Sequence, residues 1–177
     1  MDKPLARLME FAEVDVIIDY FHQATPEFLN SLGVDPAKLP EPARWRAHYE
    51  HEFSLPTEQR QSLLVLWELG GEAIGFSTAD KIKLGEEAYM HLHITRPERR
   101  RSGIGAELVK QTARIYFDAL KIRRLFCEPY ALNDAPNRTL KRAGFSFVKT
   151  HETVSGPLNF HQPVTRWLLD RNELHET

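Results

Sequence analysis

Three groups of residues in the chain have types and spacing that could do chemistry. The first is Arg99-Arg100-Arg101-Ser102-Gly103-Ile104-Gly105-Ala106, a cationic run joined to a Gly-x-Gly turn. An alternating apolar run over 88–95 precedes it. After it, Ile104, Leu108, Thr112, Ile115, Tyr116 and Ala119 recur at three- and four-residue steps, which predicts a helix. A helix start presents unpaired N–H groups and a positive dipole end, and glycines let a backbone approach a bulky group. Strand, basic glycine turn and helix therefore make a seat for an anion such as a phosphate. The second group is His91 and His93, which share a strand face with Tyr89 and Thr95 while Met90, Leu92 and Ile94 face a packed layer. A neutral imidazole is available at pH 7 as a proton acceptor. The third is Cys127, which lies in the apolar run Leu125-Phe126-Cys127 and reads as a buried, inert thiol.

The turn by itself selects an anion and not a particular phosphate. A P-loop needs Lys-Ser/Thr after its last glycine, where Ala106-Glu107 stands. A dinucleotide fingerprint needs a third glycine where Leu108 stands. The two histidines have no carboxylate on their own strand, so no metal site is expected.

The elements that must position these groups can be read in order. A strand is expected over 5–11, a helix over 12–23, and a second helix capped by Thr25 with Pro26 in its first position. A proline-rich connection over 35–42 leads to a helix over 43–53. Strands over 63–69 and 72–78 flank Gly70-Gly71, a hairpin signal, and a further turn near Gly85 leads into the histidine strand. These three make a meander. A strand over 124–128 follows the predicted helix, so it should lie parallel to the histidine strand. Asn133 and Pro136 open another helix that Gly144 ends, and strands over 145–149 and 164–169 complete the chain. The whole is an α/β domain with a mixed sheet.

Composition narrows the function classes. A chain of 177 residues, 42% of them hydrophobic, can bury one sizeable core. The formal charge of −2 argues against a nucleic-acid partner. A single cysteine excludes an internal disulfide, the first residues do not resemble a secretion signal, and no apolar run approaches the roughly 20 residues of a membrane span. A cytoplasmic protein with no membrane partner is expected.

The segment Pro97-Glu98-Arg99-Arg100-Arg101-Ser102-Gly103-Ile104-Gly105 resembles the pyrophosphate-binding signature of the Gcn5-related N-acetyltransferase (GNAT) superfamily, Arg/Gln-x-x-Gly-x-Gly/Ala. Arg100, Gly103 and Gly105 meet it, with Pro97 shortly before. Asn133 and Gly144-Phe145, eleven residues later, match the family's next helix. The likeness spans 63–169, with local likeness to aminoglycoside 6′-acetyltransferases and hydroxylysine acetyltransferases. It implies one GNAT-like domain over 1–177, with a mixed, mostly antiparallel sheet of about six or seven strands flanked by helices. In it, 1–62 is the helical acceptor-side segment and 63–169 the cofactor-binding core.

The resemblance also implies a function. Acetyl-CoA would be the co-substrate, without a metal. It would lie against Leu92, His93, Ile94 and Thr95, on Arg100, Arg101, Ser102, Gly103, Ile104, Gly105 and Ala106, and beside Asn133 and Asn137. The acetyl group would pass to an amine of a small molecule or peptide by direct attack in a ternary complex. His91 falls where some members carry a base. Leu140 stands where many carry a tyrosine that protonates the leaving thiolate, and Tyr130 is the nearest substitute. That departure also leaves room for a non-catalytic acyl-CoA-binding module. A homodimer is compatible with either.

Overall fold

Seven strands form one sheet in the order β1-β2-β3-β4-β5-β7-β6. The structure is a computed structural model that describes residues 2–100 and 103–174. The strands are β1 (Pro4–Leu8), β2 (Leu63–Leu69), β3 (Glu72–Lys83), β4 (Glu87–Ile94), β5 (Arg124–Cys127), β6 (Ser146–Thr153) and β7 (Gln162–Asp170). Only β4 and β5 run parallel; every other neighbouring pair is antiparallel. The expected meander is therefore β2-β3-β4, and the expected crossover links β4 to β5.

The helices cover both faces of the β1–β5 half. They are α1 (Asp15–His22), α2 (Pro26–Ser31), α3 (Pro42–Ser54), α4 (Ile104–Leu120) and α5 (Asp134–Arg142). Leu108, Val109, Thr112, Ala113, Tyr116, Phe117 and Leu120 recur on one side of α4 and are all buried. They pack on Val65, Trp67, Met90 and Leu125. On the other face, Ile17, Ile18 and Phe21 of α1 and Trp45 and Tyr49 of α3 close over Leu64, Leu66 and Phe76. β2 is thus buried on both faces, which is why its sequence is continuously apolar instead of alternating. Its Trp67 finds a buried partner for its indole N–H in the Thr112 hydroxyl, 2.8 Å away.

The boundaries of β1 and β3 differ from expectation, and the strand order adds a feature of its own. β1 stops at Leu8, because Glu10 and Glu13 cap a short 3₁₀ turn that precedes α1. β3 runs on to Lys83, past a bulge between Asp80 and Lys83 where Lys81 takes a φ of 47°. β7 inserts between β5 and β6, so β6 is the far edge of the sheet. No helix among the described residues is long and apolar enough to cross a membrane.

Candidate functional site

β4 loses its neighbour halfway along. Its pairing with β5 ends at Met90 opposite Cys127, yet β4 continues to Ile94. The chain after Cys127 stays with β7: Pro129 accepts from the Thr165 N–H, Tyr130 bridges Val164, and the Ala131 N–H donates to Pro163. A wedge opens between the two parallel strands. On its other side β4 keeps β3, and the Thr95 N–H donates to the Ile74 carbonyl at 2.9 Å. Backbone groups alternate along a strand. With Thr95, His93 and His91 turned to β3, the N–H and C=O of Leu92 and Ile94 point into the wedge. Burying a side of a strand without partners is costly, so an unfilled ladder edge inside a cleft is a place for a ligand's amides.

The wedge belongs to a cleft of roughly 1090 Å³ lined by residues 91–94, Arg100, Gly105, residues 127–130, Asn133 and Thr139, and continuing past Asp80 to α1, α2 and α3. At its rim α4 begins. Gly103 is the capping residue with a φ of 82°, in the left-handed region that favours glycine, and as a glycine it brings no side-chain cap of its own. The first N–H groups of such a helix have no intrahelical partner, and a helix start of this kind suits an anion. Gly103, Ile104, Gly105 and Ala106 build this turn. Arg101 and Ser102 lie outside the described residues.

Arg100 is turned inward. Its Nε and Nη2 donate to the Ile94 carbonyl at 3.3 and 3.1 Å, and its guanidinium stacks over Phe28 at 4.9 Å. It also stands beside Tyr20, whose hydroxyl burial pushes up to about 12 against the pull of that cation. Arg100 thus closes the end of β4 and links it to the helical segment.

The histidines have different settings. His93 packs among Phe76, Tyr20 and Phe21, with ring centroids 5.1 to 5.2 Å away. Burial, then the nearby His91 and Arg100, pull it down to about 3, so it is neutral and too weak a base to take a proton at pH 7. His91 is about a quarter exposed in the cleft, and its Nε2 lies 3.1 Å from Asp80 Oδ2. Asp80 was not singled out from sequence. The hairpin signal at Gly85 and a longer β3 would have set it beside Tyr89, on the face that His91 uses. Glu128, 4% exposed, also lines the cleft; Arg166 and His151 bind it at 3.2 and 3.1 Å. Burial holds His151 below the usual imidazole range.

The acceptor-side wall has a second layer. Residues 155–160 fold over His91 and are stitched to residues 33–38: Val34 bridges Asn159, the Asp35 N–H donates to the Leu158 carbonyl, and Lys38 Nζ donates to the Asn159 carbonyl. Gly156 sits so close that a Cβ there would lie 3.3 Å from His91 Cε1.

Among the remaining expected residues, Tyr130 lines the cleft at the mouth of the wedge, with its ring edge-on to Phe160. Asn133 is the N-cap residue of α5 but makes no side-chain cap bond, so its amide is available to the cleft it lines. Asn137 is engaged at both ends: Nδ2 donates to the Tyr130 and Asn133 carbonyls, and Oδ1 accepts from Trp167. It braces the turn that carries Tyr130 and Asn133. Leu140 is fully buried. Burial pushes the Cys127 thiol far up, which makes it a poor nucleophile. Among the described residues no cluster of three metal-ligating side chains occurs.

His93 carries a stability consequence. An imidazole held neutral in the fold but free to titrate when unfolded takes up a proton on unfolding. Stability is therefore intact above about pH 6.5 and is lost as pH falls toward about 3. His93→Phe should flatten this dependence by up to about 1.4 kcal/mol per pH unit. Urea unfolding at pH 7 and pH 5 measures it, and identical slopes in both proteins would count against a neutral His93.

The Acetyltransferase (GNAT) family profile matches residues 25–145. No curated protein sequence matches significantly. Among solved structures, a spermidine N-acetyltransferase from Vibrio cholerae in complex with CoA and spermine superposes with a TM-score of 0.77 at 14% identity, covering 97% of this chain and 98% of that one. RimL, a ribosomal L7/L12 alpha-N-protein acetyltransferase in complex with coenzyme A, gives 0.74 at 16%, covering 95% and 94%. Aminoglycoside acetyltransferase AAC(6')-Ib in complex with coenzyme A and kanamycin gives 0.72 at 16%, covering 97% and 96%. At these identities the likeness is one of fold.

Proposed function

This chain belongs to the GNAT acetyltransferase family, and on that premise we propose that it moves an acetyl group from acetyl-CoA to an amine of a small molecule or peptide within a ternary complex. The observation that carries the proposal is the wedge between β4 and β5, which ends at the glycine-led start of α4. A pantetheine arm is an extended chain of amides, and the backbone edge of Leu92 with the Ile94 N–H offers it strand-like partners, while Arg100 holds the Ile94 carbonyl. The α4 start, with Gly103 and Gly105, offers its pyrophosphate a backbone seat. Arg101 and Ser102 belong to the same proposed seat by sequence, and Asn133 to the arm's far side.

The chain's own groups then suffice for acyl transfer. The Leu92 N–H polarises the thioester oxygen, an electrostatic contribution that grows as negative charge develops there. His91 accepts the proton that the incoming ammonium must lose. Tyr130 donates a proton to the departing thiolate, in place of the side chain that Leu140 cannot supply. Cys127 is too inert to carry the acyl group, which favours direct attack. The relatives of similar fold were solved with spermine, an aminoglycoside or as a ribosomal-protein acetyltransferase, which supports an amine acceptor without choosing one. A cytoplasmic setting and a homodimer complete the proposal. A lone thiol suits a reducing compartment, and the exposed Phe147, Val148 and Val154 around the edge strand β6 would suit a second copy.

The test is thiol release from acetyl-CoA across a panel of primary amines, with calorimetry of coenzyme A, ATP and NAD. Binding of ATP without coenzyme A would overturn the proposal. Tyr130→Phe should lower kcat about tenfold with the KM for acetyl-CoA unchanged, water replacing the hydroxyl as a weaker acid. An unchanged kcat removes Tyr130 from the mechanism.

A further inference from the structure

The acceptor half of the cleft has a chemistry of its own. From β4 outward, rings follow one another. His93 and Phe21 have centroids 5.2 Å apart, Phe21 and Trp45 5.7 Å, and Trp45 and Tyr49 6.3 Å with their planes 27° apart. All four line the cleft. None brings a charge at pH 7: His93 is neutral, and burial pushes the Tyr49 hydroxyl up to about 12. Leu39, just before α3, and Pro157 and Leu158 of the segment folded over His91 add aliphatic surface.

The charges that line the cleft do not suit a polycation. Lys38 and Arg44 belong to this half and are exposed. Lys38 is held by a carbonyl, that of Asn159, at 2.6 Å, and Arg44 has no carboxylate on it among the described residues. The carboxylates are already taken or stand outside. Glu128 is bound by Arg166 and His151, Asp80 meets His91, and Glu41 is exposed at the N-cap of α3, three residues before Arg44. A chain of several ammonium groups would lose water here without gaining acids in return, which is costly. A flat ring gains instead, from its own burial and from stacked or edge-on contacts with other rings.

We propose that the acceptor is an arylalkylamine: a primary amine brought to His91, carrying a flat aromatic ring that lies in the recess of Phe21, Trp45 and Leu39. The inference rests on the acetyltransferase reading above and names its substrate class. The nitrogen stays at the polar end of the cleft, beside His91 and the edge of Leu92. The ring takes the direction in which the lining turns apolar. Each end of the molecule thus meets the end of the cleft that matches it. Polyamines and amino sugars do not divide in this way. Their bodies carry further ammonium or hydroxyl groups, which would be desolvated against the rings or face Lys38 and Arg44.

The test uses the whole protein with coenzyme A bound and 2-phenylethylamine as the probe. Saturation-transfer difference NMR, with the protein's methyl groups irradiated, reads which end of the probe is enclosed. The ring protons should receive more saturation than the methylene next to nitrogen, and spermidine at equal concentration should not displace the probe. Weaker saturation of the ring, displacement by spermidine, or no binding to the coenzyme A-loaded protein overturns the inference. Turnover with acetyl-CoA gives a second readout. The kcat/KM for 2-phenylethylamine should exceed that for ethylamine about 30-fold, the gain expected from burying a phenyl ring. Spermidine should do no better than ethylamine. A ratio near one, or a preference for spermidine or kanamycin over 2-phenylethylamine, also overturns it. Leu39→Glu puts a charge into the recess and should cut the ratio of 2-phenylethylamine to ethylamine to about threefold or less. If that variant does not fold, Leu158→Ser is read in the same way, and an unchanged ratio in a folded variant overturns the placement of the ring. Probe binding with its ring enclosed, but without turnover of any amine, supports the recess and overturns acetyl transfer. Failure of coenzyme A to bind overturns the acetyltransferase reading, and is seen separately by calorimetry.

Discussion

Gly105→Trp should abolish coenzyme A binding in a protein that still folds. Gly105 is the second residue of α4, buried, where the helix start meets β4 and α5. A Cβ built there would lie 3.3 Å from Thr139 Cγ2 and 3.8 Å from Ile94 Cδ1. Those two residues wall the cleft on either side, so an indole leaving this point has only the cleft to enter. It would lie across the edge of Leu92 and Ile94 and over the N–H groups at the start of α4. A loss of at least about 100-fold in affinity is expected, about 2.7 kcal/mol. Gly105→Ala needs Thr139 to give by only a few tenths of an ångström and should bind within about threefold of the wild type. Calorimetry reads both, and thermal melting shows whether each is folded. A folded tryptophan variant with unchanged affinity would move the phosphate seat elsewhere.

Much of the scaffold around Gly105 was legible in the sequence because it is encoded locally. The spacing of Leu108, Thr112 and Tyr116 predicts the buried face of α4, and that face is observed. The Gly70-Gly71 pair predicts the β2–β3 hairpin, and both glycines take positive φ. Met90, Leu92 and Ile94 were expected to face a packed layer, and they do. What stayed hidden depends on pairings between distant segments. Nothing near Pro129 announces that its carbonyl follows β7 and abandons β4, yet that choice makes the wedge. The roof over His91 is held by backbone bonds between residues 33–38 and 155–160, more than a hundred residues apart and without periodicity. Arg100 matched a signature for phosphate binding, but whether a long side chain turns outward or back onto Ile94 is set by Phe28 on α2 and Tyr20 on α1, about seventy to eighty residues earlier. Asp80 was hidden for a related reason: its setting depends on the bulge that follows it, between Asp80 and Lys83.

His91→Gln tests the proton-accepting role most directly, and its pH dependence distinguishes that role from a structural one. The side chain reaches Asp80 with one nitrogen and lines the cleft. Glutamine keeps a donor for Asp80 and much of the volume but cannot take a proton. Coenzyme A affinity should stay within about twofold, because Leu92, Ile94 and the α4 start are untouched. At pH 7, kcat/KM for an alkylamine should fall about 100-fold, the lower end of what positioned general bases contribute. The deficit then has a defined fate. Below the acceptor's own pKa, near 10.4 for a lysine-like amine, its free-base fraction rises about tenfold per pH unit. An enzyme without a base uses only that fraction, so its rate should climb with pH while the wild type, which generates free amine at the site, climbs less. The ratio of wild type to His91→Gln should therefore shrink by about tenfold or more between pH 7 and pH 9. A ratio that stays constant over that range would mean that His91 supports the cleft's shape and that the ammonium loses its proton before it arrives.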